Sequence, residues 1–327
     1  MTAVFVPALR AARVSHPLHA DERAWPETNC YADLWIEVLH AQGLEPTAAL
    51  AFTLGLDFEG DQYTFFKFSL DEIRALYGIE VQELNLWRPL VEHAEEQVAL
   101  GRLFMPEVDA FYLPDTAGVN YRIEHGKTSI AIDLIDVATR TLGYYHNRGY
   151  HTLSGADFDG VLRLDEHAPA EGVLAPYAEI AKLERVVCLP TRELATRAAD
   201  LARSHLARRP RHNPITRHRE RFARDLEWLR NEPLAVFHQY AFATVRQAGA
   251  CYGLTAAFLR WLNEHQPQDL EPAAVAFETI STNAKILQFK LARMASLKRE
   301  VDVAPLLARM EWAWDDGMRR LVECFRD

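Results

Sequence analysis

The sequence predicts an α+β domain over about residues 1–190, with an antiparallel sheet, followed by an α-helical domain over about residues 191–327. Two observations support this division. Before residue 190, helical patterns give way to β-branched, partly alternating segments that are typical of strands. After residue 190, nearly every segment has helical periodicity, and a chain of 327 residues is long enough for about two domains.

The first third of the chain carries the start and stop signals of helices. Asn29 is a suitable N-cap ahead of a mostly apolar run, and Gly43 ends that run. Pro46 suits the first turn of a second helix. The predicted helices cover residues 30–42, 46–55, 70–77 and 88–100, with a loop or hairpin over 57–68.

The spacing of the apolar residues then changes from one typical of a helix to one typical of a strand. Residues 102–113 are expected to end as an apolar strand, which Pro114 closes. Residues 127–135 are rich in β-branched side chains, and a short turn separates them from residues 141–146. These two segments predict a β-hairpin, because both have strand character and only a few turn residues join them.

The second part of the chain is helical and begins with a basic stretch. Ten arginines lie between residues 191 and 224, against three acidic residues. Pro210 and Pro214 predict a linker between helices over residues 205–216. Three further helical patterns follow, over residues 234–265, 272–298 and 303–326.

Composition excludes several classes of protein. The formal net charge is −10, which disfavours a nucleic-acid-binding protein. The four cysteines lie far apart without CxxC spacing, so neither a zinc knuckle nor a thioredoxin-type motif is predicted, and their number suits a reducing cytosol. The sequence contains no signal peptide pattern and no apolar run that approaches a membrane span, so a cytoplasmic protein that does not bind membranes is expected.

The chain also lacks the common nucleotide and hydrolase motifs. It has no P-loop, no GxGxxG, no HExxH and no GxSxG, so no cofactor and no metal are predicted.

Cys30, His125 and Asn147 form the most suggestive group of chemically active residues. Cys30 falls in the first turn of its predicted helix, where the helix N-terminus stabilises a thiolate. His125 lies just before the strand at 127–135, where it can act as base and then as acid. Asn147 ends the next strand and can orient the imidazole. The order Cys, His, Asn across a helix and a later sheet is that of a papain-like domain.

Simpler interpretations of the same residues stay open. A cysteine on an apolar helix is often only a small core residue. His125 can equally be a surface turn residue, and Asn147 can be a turn former beside Gly149. His146 is the nearest rival of Asn147 for any role in the site.

Several other residues are candidates for binding or support. Asn29 caps the helix that starts with the candidate nucleophile, and Gln62, beside Glu59, can supply an oxyanion donor. Asp109 is a carboxylate inside an apolar strand, and Tyr112 and Tyr145 can line an acyl groove. The Arg-rich stretch 203–224 can bind an acidic partner such as a carrier protein.

Four segments of the sequence resemble a known family. They are NCYADLWIEVLHAQGLEP, DFEGDQYTFFKF, IEVQELNLWRPL and VDAFYLPDTAGVNYRIEHGKTSIAIDLID. Together they resemble the uncharacterised bacterial domain-of-unknown-function family 1839, and the likeness covers most of the chain.

A more distant likeness is to the papain-like N-terminal domain of the butirosin-biosynthesis acyltransferase family. There, a cysteine at a helix start precedes a D-x-x-Y-L-P segment, a histidine and a polar residue on the next strand. The same order occurs here as Cys30, Asp109–Pro114, His125 and Asn147, although the third member of that family's site is expected to be Asp. The resemblance implies transfer of an acyl or aminoacyl group from a carrier-protein thioester to an amine.

The sequence therefore predicts a cysteine-dependent acyltransferase that works through a Cys-linked acyl-enzyme. Two alternatives stay open. If water resolves the acyl-enzyme, the protein is a cysteine peptidase or amidase. If the triad is inactive, the papain-like domain is a non-catalytic binding module.

Overall fold

The computed structural model describes residues 3–6, 14–170, 172–266, 268–298 and 301–326. It divides into two compact units that do not follow the chain in two simple halves. The first unit comprises Met1–Pro17, Asn29–Pro46 and Ser69–Cys188, and the second comprises Leu18–Thr28, Thr47–Phe68 and Leu189–Asp327.

In the described part of the chain, the first unit contains an antiparallel sheet with four α-helices. The strands are joined in the order β2-β8-β3-β5-β6-β7, while β1 pairs with β5 and β4 pairs with β3. The elements are β1 (Val4–Phe5), α1 (Cys30–Ala41), α2 (Leu70–Tyr77), β2 (Glu80–Glu83), α3 (Leu90–Ala99), β3 (Leu103–Asp109), β4 (Lys127–Ser129), β5 (Ala131–Asp136), β6 (Thr141–His146), β7 (Gly149–Ser154), α4 (Ala156–Val161) and β8 (Ala178–Lys182).

Short 3₁₀ helices connect several of these elements. They cover Pro17–His19, Pro46–Gly55, Ala110–Tyr112, Pro114–Thr116 and Asp165–His167.

The predicted hairpin is confirmed as β5 and β6, which are antiparallel with Ala131 opposite Tyr145. The run that precedes its turn is divided at Ile130: β4 pairs with the end of β3, and β5 continues along β6. The strand predicted over 102–113 is shorter than expected and ends at Asp109. The Asp109 carboxylate accepts a hydrogen bond from the Phe111 N–H and so caps a 3₁₀ turn that leaves the sheet.

Helix α1 begins where the sequence predicts it. The Asn29 side chain accepts a hydrogen bond from the Ala32 N–H at 2.9 Å, which is the expected N-cap contact. The helix is buried along most of its length and packs against β4, β6 and β7. It therefore covers the strand that follows His125 and the two strands that flank Asn147.

The second unit is helical. Its helices are α5 (Thr191–Ala207), α6 (Pro214–Asn231), α7 (Leu234–Ala241), α8 (Gln247–His265), α9 (Glu271–Leu297) and α10 (Ala304–Cys324). The predicted helix over 234–265 is divided by a π-helical turn at Phe242–Arg246. Helix α9 packs along both α8 and α10, and the Tyr252 and Phe277 rings stack at 5.5 Å in its core.

Two segments from before residue 190 belong to the helical unit, which differs from the predicted assignment of residues 1–190 to one domain. Small residues on α8 explain this packing. The Trp25 ring lies so close to Gly249 that a Cβ there would approach it to 2.6 Å, and Trp25 Nε1 donates a hydrogen bond to the Ser281 carbonyl. The Cys251 thiol donates to the Thr53 carbonyl in the same way. These N-terminal segments therefore complete the core of the helices.

The observed architecture is α+β, with an antiparallel eight-stranded sheet and a helical C-terminal region, as predicted. Within the described ranges, no helix combines the length and the apolar character that crossing a membrane requires.

Candidate functional site

Cys30 is the first residue of α1 and is half-buried. Its neighbour Asn29 is buried and accepts two hydrogen bonds at the start of the helix. The Ala32 N–H donates to the Asn29 side chain, and the Asp33 N–H donates to the Asn29 carbonyl. Among the described residues, the Cys30 thiol makes no disulfide and no hydrogen bond. Cys30 therefore lies in the first turn of α1, next to the N-terminal end of the helix.

His125 lies in the loop before β4 and its side chain is 70% exposed. Its Nδ1 is 2.6 Å from Asp109 Oδ2, and its ring stacks on Phe111 with 4.5 Å between centroids. The strand pairing explains this contact, because Asp109 at the end of β3 lies opposite Lys127 at the start of β4. The imidazole is therefore held on two sides while its other nitrogen faces away from the carboxylate.

Asp109 is held as a carboxylate by three donors. Partial burial raises its pKa, but the hydrogen bonds from His125 and from the Phe111 and Gly126 N–H groups outweigh this effect. The net result is a pKa below the ordinary value for aspartate. A carboxylate in this position fixes the histidine tautomer with the proton on Nδ1. Asp109, predicted only as a supporting residue, is thus the orienting partner of His125 in the structure.

Asn147 lies in the two-residue turn between β6 and β7, where His146 pairs with Gly149. Its φ of +46° places it in the left-handed region, which asparagine tolerates better than most residues. In the described parts of the chain, its side chain bonds neither His125 nor Cys30. The role of Asn147 as third member of the triad stays a prediction.

The elements next to the three triad residues belong to the first unit and pack against one another. Helix α1, which starts with Cys30, packs against β4 and β6. His125 precedes β4 by two residues, and Asn147 directly follows β6. Because Ala131 pairs with Tyr145, the end of β6 lies beside the run that begins with β4. No hydrogen bond links any two of the three residues within the described ranges, so the triad itself stays a prediction.

A second histidine–carboxylate pair lies inside the sheet. His146 Nδ1 is 2.5 Å from Asp115 Oδ2, and its Nε2 is 2.8 Å from Thr128 Oγ1. Tyr144 donates a further hydrogen bond to the same carboxylate. The connectivity is that of a hydroxyl, a base and an orienting acid. All of these groups are buried, however, so the network connects β4 to β6 rather than facing a substrate.

This buried network was missed by the sequence analysis. The one available signal was the alternation along β6, which places Tyr144 and His146 on the same face. Burial raises the pKa of Asp115, but the hydrogen bond and charge of His146, with smaller effects of His151 and Tyr144, bring it below the ordinary value.

The remaining predicted supporting residues have structural contacts. The Glu59 N–H donates to the Gln62 carbonyl and closes an exposed turn of the second unit. Tyr112 packs against Gly160, and its hydroxyl lies 3.3 Å from His167 Nδ1. Tyr145 is buried against Tyr150 with 4.9 Å between ring centroids. Their predicted roles in binding stay predictions.

Eight of the ten arginines of the basic stretch fall into two groups. Five of the ten form ion pairs within the helical unit: Arg197 with Glu193, Arg203 with Asp200, Arg217 with Asp57, Arg219 with Glu311 and Arg221 with Asp225. Three others, Arg208, Arg209 and Arg211, line a cleft with α10. The described residues contain no group of three His, Cys, Asp or Glu side chains that is suited to a metal ion.

Two protein-family models match the chain. The DUF1839 N-terminal domain matches residues 14–183, and the DUF1839 C-terminal domain matches residues 191–323. The first match ends at residue 183 and the second begins at residue 191. No curated protein matches the chain. Because the two models cover most of its length in the family's order, the chain belongs to the uncharacterised DUF1839 family.

Proposed function

We propose that this protein is a cysteine-dependent acyltransferase with Cys30 as nucleophile and His125 as general base. One observation supports the proposal most strongly. The exposed imidazole of His125 is oriented through Nδ1 by Asp109, and in the described residues its Nε2 has no partner. A base that is held by a third group, with one nitrogen open to the reacting atoms, is the arrangement that nucleophilic catalysis requires.

In the proposed first step, the Cys30 thiolate attacks the carbonyl carbon of an acyl thioester. The bond from that carbon to the donor sulfur breaks, and the protonated His125 gives its proton to the departing thiolate. The Cys30 N–H, in the first turn of α1 where N–H groups have no intrahelical acceptor, stabilises the oxyanion. The product is an acyl group on Cys30.

In the proposed second step, an amine attacks the acyl-Cys30 carbonyl. His125 removes a proton from the amine, an amide forms, and the Cys30 thiolate leaves. Asp109 stabilises the imidazolium in both steps because its own pKa is held low. In this mechanism, Asp109 performs the orienting role that the sequence predicts for Asn147.

The proposed acyl donor is a carrier-protein thioester and the proposed acceptor is a small amine. Support for these partners comes from the order of Cys30, Asp109–Pro114, His125 and Asn147, which resembles that of carrier-dependent acyltransferases. The acidic surface of a carrier protein also complements the arginines of the 203–224 stretch.

The central experiment uses the full chain and a panel of aminoacyl carrier-protein thioesters. We expect intact-protein mass spectrometry to detect an acyl adduct that peptide mapping places on Cys30. Cys30→Ala abolishes the adduct, and His125→Ala slows its formation about a hundredfold or more. Cys188→Ala is the matched control, because Cys188 is exposed but does not begin a helix. An adduct that forms equally in Cys30→Ala would contradict the proposal.

The fate of the adduct separates the alternatives. Release of an amide when an amine is added supports acyl transfer, whereas equally fast release of free acid supports a hydrolase. Absence of any adduct, together with equal iodoacetamide labelling of Cys30 and Cys188 at mildly acidic pH, supports a non-catalytic binding module.

A second comparison tests the orienting residue. Asp109→Asn keeps the cap on the Phe111 N–H but removes the charge beside His125, so we expect acylation to slow about a hundredfold. Glu107→Gln, on the same strand and paired with Lys127, is the control and should leave the rate unchanged. Asn147→Gly preserves the turn and should also acylate normally. A large loss of acylation rate in Asn147→Gly, with no loss in Asp109→Asn, would instead identify Asn147 as the third member of the triad.

A further inference from the structure

The linker between α5 and α6 and the face of α10 enclose a cleft of about 690 Å³ in the helical unit. Five guanidinium groups line it against only two carboxylates. They belong to Arg208, Arg209, Arg211, Arg319 and Arg326, and the carboxylates belong to Asp315 and Glu323. The volume lies within the range of small-molecule sites.

Some of the charged side chains in this cleft have hydrogen-bond partners within the helical unit, and others do not. Arg319 bonds Glu323 and Asp316, and Arg209 donates to the Leu206 carbonyl at the end of α5, so both guanidiniums have structural contacts. The Asp315 carboxylate accepts a hydrogen bond from Asn213. Both carboxylates of the cleft thus already accept hydrogen bonds from side chains of the helical unit.

Within the described ranges, four of the five guanidiniums in the cleft lack an acidic partner, because Arg209 donates only to the Leu206 carbonyl. Arg208 bonds only Ser204, and within the described ranges Arg211 and Arg326 have no carboxylate partner. Like charges that converge on one cleft repel one another, and an anion with several oxygens removes that repulsion. Arginine also binds phosphate oxygens in a bidentate manner, with charge-assisted hydrogen bonds.

Apolar residues, here called the apolar floor, also line the cleft. Trp314 and Met318 are almost fully buried beneath it, and Val322 and Pro210 complete the lining. Such a surface contacts an aromatic or aliphatic group rather than an inorganic ion alone. The cleft thus combines cationic and apolar lining residues.

We propose that this cleft binds an organic phosphate, in which phosphate oxygens contact Arg208, Arg211 and Arg326 while an apolar or aromatic part lies against Trp314 and Met318. The proposal goes beyond acyl transfer, because the cleft belongs entirely to the helical unit. It stands or fails independently of Cys30 and His125.

The test is isothermal titration calorimetry of the full chain, without divalent ions, using three probes. ADP carries both a diphosphate and an aromatic part, inorganic pyrophosphate carries only the former, and adenosine carries only the latter. We expect ADP to bind more tightly than pyrophosphate, and adenosine not to bind. Failure of ADP to bind at millimolar concentration would overturn the proposal, and equal affinity for ADP and pyrophosphate would overturn the role of the apolar floor.

Two matched variants localise the site. In Arg211→Ala/Arg326→Ala, loss of two charge-assisted contacts should weaken ADP binding about tenfold or more. Arg192→Ala/Arg224→Ala removes the same charge from exposed positions outside the cleft and should leave the affinity unchanged. An equal loss in both double variants would mean that only the general charge of the helices attracts ADP, and would overturn the cleft as the site. Circular dichroism confirms that both variants are folded.

Discussion

At the scale of single residues, the environment separates two histidine–carboxylate pairs that the sequence does not distinguish. His125 with Asp109 is exposed and keeps one ring nitrogen open. His146 with Asp115 is buried, and both of its ring nitrogens are occupied. A fully satisfied buried network stabilises one arrangement of the strands, whereas an oriented and accessible imidazole can exchange protons with a substrate.

A buried carboxyl group on β5 makes the stability of the first unit depend on pH. Burial raises the pKa of Asp133 to about 6 from an ordinary value of 3.8, although a hydrogen bond from Tyr150 opposes the shift. Its Oδ1 has no hydrogen-bond partner in the described chain. Since the folded protein holds this proton more tightly than the unfolded chain does, the free energy of unfolding falls as the pH rises from about 4 to 6.

Asp133→Asn removes the free-energy cost of ionising this buried carboxyl group. We expect the variant to be more stable than the parent by about 2–3 kcal/mol at pH 7.5, and the difference to vanish near pH 3, where Asp133 is protonated in both states. Urea unfolding at several pH values measures this. Asp136→Asn, at the exposed end of the same strand, should show no gain. A parent that is as stable as Asp133→Asn at pH 7.5 would refute the assignment.

At the scale of elements, helix caps were predictable because they depend on local contacts. Asn29 and Gly43 bound α1 as the sequence indicates, and the Leu44 N–H completes the end by bonding the Leu39 carbonyl. The strands were less predictable, since β2 and β8 exist only through pairing with distant segments. Asp109 shows the same limit, because its capping contact ends β3 earlier than the apolar pattern predicts.

Two glycines at helix ends differ only in their surroundings, and this gives a matched test. Gly43 and Gly78 both have a φ of +70°. A Cβ at Gly43 would meet nothing within 4 Å, whereas one at Gly78 would lie 2.1 Å from the Arg185 carbonyl oxygen. Gly43→Ala should therefore cost only the strain of the left-handed conformation, about 1 kcal/mol. Gly78→Ala also displaces backbone and should cost about 2–4 kcal/mol.

Urea unfolding of the two variants and the parent measures this difference. Equal destabilisation of the two variants would mean that the Arg185 backbone moves away from residue 78 at no cost in free energy. That result would contradict the close packing of Gly78 against Arg185.

At the scale of the whole molecule, the division into units does not follow the order of the chain. Arg246 donates hydrogen bonds to the Glu27 and Thr28 carbonyls, and Arg23 donates to the Gly253 carbonyl. Phe58 and Tyr63 pack their rings around His218 of α6. The helical unit is thus complete only with residues that precede it by more than a hundred positions.

The fragment 189–327 should therefore fail to fold cooperatively, although it contains all six helices. Without residues 18–28 and 47–68, the surfaces beneath Trp25 and Phe58 are exposed, and burial of such aromatic side chains contributes about 3–5 kcal/mol each. We expect a broad urea transition and weak near-UV circular dichroism for the fragment. Co-expression with the fragment 1–188 should restore a cooperative transition. A sharp transition for 189–327 alone would contradict this division of the chain.

The sequence by itself determined the α+β class, most of the helices, the β5–β6 hairpin and the candidate nucleophile at a helix start, whereas α4 was not predicted and the helix predicted over 46–55 is a 3₁₀ helix. These features follow from periodicity and caps, which act over a few residues. Only the tertiary structure decided that Asp109 holds His125, that His146 is buried, and that arginines of the α5–α6 linker meet those of α10. These pairings join residues far apart in the chain, and the packing of strands and helices brings them together.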